Sequence, residues 1–441
     1  MAEKVEFYKE TEFKDTEIGK IPKEWNVANL GSIAKISSGN TAPQEEKYFK
    51  NGKYPFIRVQ HLKELQEEKF PVNYDFVNDY ALSELKLKLF KKGCIVFPKS
   101  GESIKLEKRA MLKEDSCVVN HLAVIEPLYE NIDNLFLFYY LCTIKTSNYL
   151  TETTMPSLNL STISNFLVPL PSLIEQQRIA EILSTVDKAI QKTDDIIAKT
   201  ERLKRGMMRE LLTKGIGRKE FKDTEIGRIP KEWEVKKLDE IADPQRGLSY
   251  SGEEKSNTET ADGYLFLTLN SIKEGGGLKE DGWTWIKSDR IKEMHFVREG
   301  DIVIANTEQS KDGSLIGSPA IVHFPEWYKK DKAVYSMDLS KLNFKTKILD
   351  AQFIFFYLSF VQSIAKVYHT GTNVWHLKVD SWAKDLDVII PPLSEQQQIA
   401  SILLAIDERL DVLRKERVKL ERIKSGFMSD LLSGRIRVGP K

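Results

Sequence analysis

The sequence predicts an α+β fold of two pseudo-twofold-related repeats. Each repeat is a globular mixed α/β block followed by a helix of ~40 residues, and the two helices pack as an antiparallel coiled coil. Three observations predict this. "FKDTEIGKIPKEW" (Phe13–Trp25) is written again as "FKDTEIGRIPKEW" (Phe221–Trp233), with only Lys20 exchanged, for Arg228. "PSLIEQQRIAEIL" from Pro171 is matched by "PPLSEQQQIASIL" from Pro391. After each of these, apolar residues recur at steps of three and four, the stripe of a long helix. The opening copies lie 208 residues apart and the helix copies 220, so all net length variation falls inside the globular blocks.

The elements follow in order. Residues 1–12 form a tail, and the first block spans 13–170. Within it, "YPFIRV" and "CIVFP" are β-rich runs, "NLFLFYYLC" is a short buried helix, and "FLVPLP" returns the chain in extended form. The first long helix occupies 171–215: Pro171 blocks an earlier start, Ser172 and Glu175 suit the first turn, and Gly215 is a stop. Its seam is Ile179, Ile182, Val186, Ile190, Ile197 and Leu203. The second block, 216–390, repeats the pattern with "YLFLTL", "DIVIA", "AQFIFFYL" and "DVIIPP". The second helix and a C-terminal tail take 391–441, with Ile399, Leu403, Ile406, Leu410, Leu413 and Leu420 in the seam. A helix of this length reaches ~60 Å. With one apolar seam it wants a partner helix, and the obvious partner is the other copy.

Composition narrows the class. The 441 residues are 41% hydrophobic and 30% charged, with a net charge of +1. No overall basic field exists, so a nucleic-acid partner would be met by local patches. Cys94, Cys117 and Cys142 all fall in the first repeat without C-x-x-C spacing. A fold that needed them for zinc or disulfides would carry them twice, so they read as reduced cysteines of a cytoplasmic protein. "MAEKVEFYKE" lacks the apolar core of a signal peptide, and no apolar run approaches the ~20 residues of a membrane span. Motifs for catalysis are missing too: there is no phosphate-binding G-x-x-x-x-G-K-[ST], no [DN]-P-P-[YFW] and no F-x-G-x-G. His369 and His376 flank Trp375 without an obvious third metal ligand. The chain is expected to hold no metal, no cofactor and no catalytic residue.

The I-P-x-x-W entry, the P-x-x-x-E-Q-Q-x-I-A-x-I-L helix start and their doubling resemble the specificity (S) subunit of type I restriction–modification systems. The resemblance runs from about Phe13 to Ile436. It implies that each block is a target recognition domain reading one half of a bipartite, asymmetric double-stranded DNA sequence. It implies that the helices set the spacing between half-sites and dock methyltransferase (M) subunits, two per chain. N6-adenine methylation, translocation and cleavage would belong to M and restriction (R) subunits, which would also bind S-adenosylmethionine, ATP and Mg.

Candidate DNA contacts follow the matched strands, where polar loops differ between copies. Phosphates take Lys, Arg and small polar groups, while base edges are read best by Arg, Asn and Gln. In the first block the candidates are Arg58, Gln60, His61, Lys99, Ser100, Ser103, Lys105, Lys108 and Arg109, with Thr154 and Asn159 in a later loop. In the second they are Thr268, Asn270, Ser271, Asn306, Thr307, Gln309, Ser310 and Lys311, with Asn373, Trp375 and His376 in the matching loop. Basic runs late in each helix, such as Lys199–Arg209 and Arg414–Lys424, read first as solvated cations favoured near a helix C-terminus. A competing class is a structural coiled-coil adaptor with two protein-binding blocks, which near-neutral charge favours.

Overall fold

The computed structural model describes residues 6–66, 74–150, 156–309, 312–346 and 348–439. The chain divides into two compact units, Met1–Ile197 with Leu413–Lys441, and Ala198–Val412.

The first unit opens with a hairpin, Phe13–Thr16 against Gly19–Pro22. Gly19 closes it at φ 99°, a conformation L side chains rarely adopt. Two four-stranded sheets follow. One runs Ala110–Met111, Ile95–Pro98, Leu122–Pro127, Ala34–Ser38, all antiparallel. The other runs Asp75–Val77, Tyr54–Ile57, Ser116–Val118, Leu89–Phe90, and its middle pair is parallel, with Phe56 opposite Cys117. The aromatic run forms a helix, Asn134–Thr143, whose first turn is capped by Asp133 accepting from the Phe136 N–H at 2.8 Å. The returning segment is a strand, Leu167–Leu170, paired with Asn26–Asn29 just after the entry tryptophan. Strand Phe7–Lys9 pairs with Ile436–Val438.

The second unit repeats this plan. Ala242–Arg246, Leu339–Phe344, Ile302–Ala305 and Pro319–Ile321 form one antiparallel sheet. A five-stranded sheet contains the parallel pair Tyr264–Leu267 and Lys332–Tyr335. Glu234–Lys237 pairs with Asp387–Ile390, and Asp350 caps the helix Ala351–Val361. This unit also contains a small sheet of Thr307–Glu308, Trp375–Leu377 and His369–Thr370.

The two long helices span Leu173–Lys214 and Leu393–Leu431. Their E-Q starts explain the repeated motifs. Buried Trp25 donates from Nε1 to Glu175 at 3.1 Å, and Trp233 donates to Glu395 at 3.0 Å. The next residue, Gln176, donates to the Pro171 carbonyl and accepts from the Asp133 N–H. Gln396 does the same with Pro391 and Asp350. Each block is therefore clamped where it begins, where it ends and at its core helix, by two adjacent side chains.

A cation completes each clamp. In the first unit Arg437 donates to Glu175 at 2.6 and 2.9 Å, and in the second Arg218 donates to Glu395. Burial opposes ionisation of Glu395, but Arg218, the Ile216 N–H and Trp233 outweigh it and hold its carboxyl below the usual range.

Within each unit the helix segments run antiparallel. In the first unit Asp187 pairs with Lys424 at 2.6 Å and Asp194 with Arg417 at 2.5 Å, so one index rises as the other falls. Ile179 and Leu183 share that unit's core with Leu431 and Leu432, each burial contributing about 1.5–3 kcal/mol. In the second unit Lys204 pairs with Asp407 at 2.5 Å, and Leu211 and Leu212 share the core with Ile399 and Leu403. Leu410 and Leu413 are buried, whereas Ile182, Val186, Ile190, Ile197, Ile406 and Leu420 are half-buried. Leu203 does not sit in the seam: it is 55% exposed. Lys204 takes the inward position instead, because its ammonium finds the Asp407 carboxylate there.

Candidate nucleic-acid interface

Polar segments distant in sequence meet at the same place in both units. In the first, strand Ile95–Pro98 runs into the loop carrying Lys99, Ser100 and Ser103. Two backbone bonds tie this loop to the segment after residue 155: Leu158 N–H to the Lys99 carbonyl and Gly101 N–H to the Pro156 carbonyl, both 2.8 Å. Ser100 also bridges Ser157. A third segment, the turn after Ser116–Val118, enters through His121. Its carbonyl accepts the Lys99 N–H at 2.9 Å, and its Nδ1 lies 2.7 Å from Ser100 Oγ.

In the second unit Ile302–Ala305 leads into Asn306 and Thr307. Thr307 lies opposite His376 in the small sheet, and the Asn306 carbonyl accepts the Leu377 N–H at 2.7 Å. The turn after Lys332–Tyr335 brings in Asp338. Its carbonyl accepts the Asn306 N–H at 2.7 Å, and its Oδ1 accepts from Thr307 Oγ1 at 3.0 Å. Trp375 stacks on His369 with ring centroids 3.9 Å apart, and it packs so closely on Gly313 that an added Cβ would collide with the indole.

The candidates separate by exposure. Gln60, Lys105, Asn159, Asn270, Gln309, Asn373 and His376 are exposed, and Arg58, Lys99, Ser100, Ser103, Lys108 and Trp375 are half-buried. Arg58 is turned onto Asp75 at 2.8 Å. Thr154, Ser310 and Lys311 lie outside the described residues.

Six candidates are interior, and the side-chain bonds of five of them hold loops in shape. Arg109, 2% exposed, donates to the carbonyls of Glu107 and Ile144 and pairs with the Glu107 carboxylate at 3.0 Å. Glu107 in turn accepts from Thr146 and Ser147. Burial opposes its ionisation, yet these bonds lower its pKa to about 2. His61 accepts from the Arg58 N–H at 3.1 Å, and burial lowers its pKa. Ser271 accepts from the Thr268 N–H and donates to the Gly282 carbonyl, while Thr268 itself is buried. Asn306 is fully buried and donates to Ser340 Oγ at 2.8 Å. Thr307 is buried beneath Asp338.

His121 and Asp338 were not among the expected contacts. Both follow the strand that pairs in parallel with the early strand of their unit, a correspondence that only the pairing reveals. Among the described residues no group of three or more His, Cys, Asp or Glu side chains could hold a metal ion, and no helix is long and apolar enough to cross a membrane.

Comparison with known proteins fits this doubled architecture. The model of the type I restriction modification DNA specificity domain matches twice, at residues 22–202 and 230–422. A Methanocaldococcus jannaschii protein, provisionally named as the MjaX type I restriction enzyme specificity subunit, is 30% identical over 447 residues, covering 98% of this chain and 99% of that protein. The MjaVIII specificity subunit of the same organism is 28% identical, covering 98% of each. In structure, the S subunit of the type I restriction–modification system of M. genitalium superposes with a TM-score of 0.55 at 14% identity, covering 92% of this chain and 96% of that one. The chain belongs to the type I restriction–modification DNA specificity family and carries the family's DNA specificity domain twice.

Proposed function

We propose that this chain is the non-catalytic targeting subunit of a type I restriction–modification complex. Its recognition domains, 13–170 and 216–390, read the two halves of a bipartite, asymmetric DNA target. The long helices, 171–215 and the helical part of 391–441, set the spacing between half-sites and dock two methyltransferase subunits. S-adenosylmethionine, ATP and Mg then act in those partners and in a restriction subunit.

One observation carries this reading. The same three segments meet at the end of the same strand in both units, yet their side chains differ: Lys99 with Ser100, His121 and Ser157 in one, Asn306 with Thr307, Asp338 and His376 in the other. Identical scaffolding with unlike polar tips suits two readers of unlike half-sites. Lys99, Lys105 and Lys108 are placed to meet phosphates, while Gln60, Asn159, Asn270, Gln309, Asn373 and His376 suit base edges.

The test is co-expression with the methyltransferase subunit of the same system, followed by genome-wide mapping of N6-methyladenine. A single motif of two short half-sites around a fixed gap is expected. A stable complex that methylates without sequence preference would overturn the reading in favour of a protein-binding adaptor.

A further inference from the structure

His121 and Asp338 occupy one position built twice. Each follows the strand that pairs in parallel with the unit's early strand, Ser116–Val118 with Tyr54–Ile57 and Lys332–Tyr335 with Tyr264–Leu267. Each offers its carbonyl to the residue leaving the neighbouring strand, at 2.9 Å to Lys99 and 2.7 Å to Asn306. Each side chain is met by the following hydroxyl, Ser100 at 2.7 Å and Thr307 at 3.0 Å. Each hydroxyl residue bridges the third segment, Ser100 to Ser157 and Thr307 to His376. The backbone construction is the same, and the side chain at the tip differs.

Thr307 can only donate to the ionised Asp338 carboxylate, which has no hydrogen to give. When Ser100 donates likewise to Nδ1, the neutral His121 ring carries its hydrogen on Nε2. One unit then presents a donor where the other presents an acceptor. His121 is exposed and Asp338 half-buried, its second oxygen meeting only a long 3.5 Å contact from Ser336 Oγ. Thr307 is 4% exposed and Ser100 half-buried, which makes the hydroxyls positioning residues.

We propose that His121 and Asp338 are specificity-determining residues for the two half-sites. This rests on the reading of the chain as a two-headed DNA reader. His121 donates to a base-edge acceptor, a purine N7 or guanine O6, in the half-site of the first unit. Asp338 accepts from an exocyclic amine, cytosine N4 or adenine N6, in the half-site of the second. The two halves of the target differ partly because this one position has opposite hydrogen-bonding sense.

The experiment uses the complex co-expressed with its methyltransferase, comparing parent, His121→Ala, Asp338→Asn, Ser100→Ala and Thr307→Val by N6-methyladenine mapping. Duplexes substituted at each motif position then provide competition binding. His121→Ala is expected to relax one base pair of one half-site, with discrimination there falling roughly tenfold, and to leave the other half unchanged. Asp338→Asn is expected to do the same in the opposite half, because the amide adds a donor. Ser100→Ala and Thr307→Val are expected to weaken the same base preferences by less than the tip substitutions. They keep the inference testable if a tip variant assembles poorly.

A parent motif that both tip variants retain unchanged, base for base, would overturn the inference while leaving the two-headed reading intact. So would relaxation of both half-sites by either single variant. A parent complex that methylates no split motif would sink the reading itself.

Discussion

Arg437→Met removes a cation that three carboxylates share. Arg437 donates to Glu175 at 2.6 and 2.9 Å, to Glu10 at 2.5 Å and to Glu24 at 3.3 Å. The Arg437 and Glu175 side chains are each 7% exposed. Burial opposes the charge on Arg437, but Glu175 and Glu10 hold its guanidinium above its ordinary value. Methionine keeps most of the aliphatic stem, so the loss is electrostatic rather than a cavity. Removing one member of a buried pair costs about 3–5 kcal/mol, because the other charge is stranded. Glu24 is largely in water and adds nothing to that figure; Glu10 is not, and pushes toward its upper end. A second substitution, Glu175→Gln, isolates the cause. Glutamine's carbonyl can still accept from Trp25 while removing the Glu175 charge, so the double variant should recover the part of the loss that comes from Glu175 and keep the part that comes from Glu10. Urea unfolding of the full chain, followed by hydrogen–deuterium exchange, reads the first unit separately from the second. A loss under about 1 kcal/mol, well below the cost of a stranded buried charge, would show that the cluster is solvated. A double variant no more stable than Arg437→Met alone would show that the stranded charge is not the cause.

Four further outcomes follow from the geometry. Leu403→Ala, in a fully buried seam position, should cost about 2–5 kcal/mol, whereas Leu203→Ala should change stability by under about 0.5 kcal/mol; equal losses on denaturation would return Leu203 to the seam. Trp233→Phe removes the 3.0 Å bond to buried Glu395 and should cost about 1–3 kcal/mol, with faster exchange confined to the second unit. Glu107 is held at about 2 against ~4.3 when unfolded. A depressed folded pKa gives stability present above the unfolded value and lost as pH falls through the folded one. Glu107→Gln should therefore flatten the acid unfolding of the first unit between pH ~4 and ~2, and an unchanged acid profile would refute the clamp. Finally, Lys105→Gln and Lys108→Gln should each lower the salt slope of DNA binding by about 1 without changing the motif, as measured by titration of the assembled complex.

The fold was legible wherever a pattern was long or doubled. The helices Leu173–Lys214 and Leu393–Leu431 were visible because one apolar period persists over many turns. The central strands Ile95–Pro98 and Ile302–Ala305 were visible as matched β-branched runs. The entry hairpin was not, because Glu17-Ile18 between its strands carries no turn dipeptide and only Gly19 marks the bend. The site was legible as a place more than as residues. Polar side chains after a strand look solvated, but Thr307 continues into a sheet opposite His376, and Asn306 is buried against Ser340. Arg109 looked like a phosphate contact because its partner, the Ile144 carbonyl, lies 35 residues away in sequence. His121 and Asp338 stayed hidden because a single polar residue at a strand edge has no pattern of its own.

The clamp explains why the readers can differ while the ends stay alike. Trp25 to Glu175 spans 150 residues and Trp233 to Glu395 spans 162, and each bond joins the entry of a block to its exit. The Asn26–Asn29 strand then pairs with Leu167–Leu170, as Glu234–Lys237 does with Asp387–Ile390, so the polypeptide leaves beside where it entered. Closing the block this way fixes its stem and leaves the far segments free of any role in joining it to the helix. The two cations come from corresponding places, Arg218 shortly after the helix Leu173–Lys214 and Arg437 shortly after the helix Leu393–Leu431, and each completes the carboxylate cluster at the start of the other helix. The requirement is a buried acid satisfied by an indole and a guanidinium, and the repeat delivers both from corresponding positions. A block that delivers that tryptophan, offers the glutamine the N–H at the start of its core helix and ends in Pro-x-x-x-Glu-Gln meets it. The residues free to vary are then those at the tips, where Ser100 with His121 and Thr307 with Asp338 already differ.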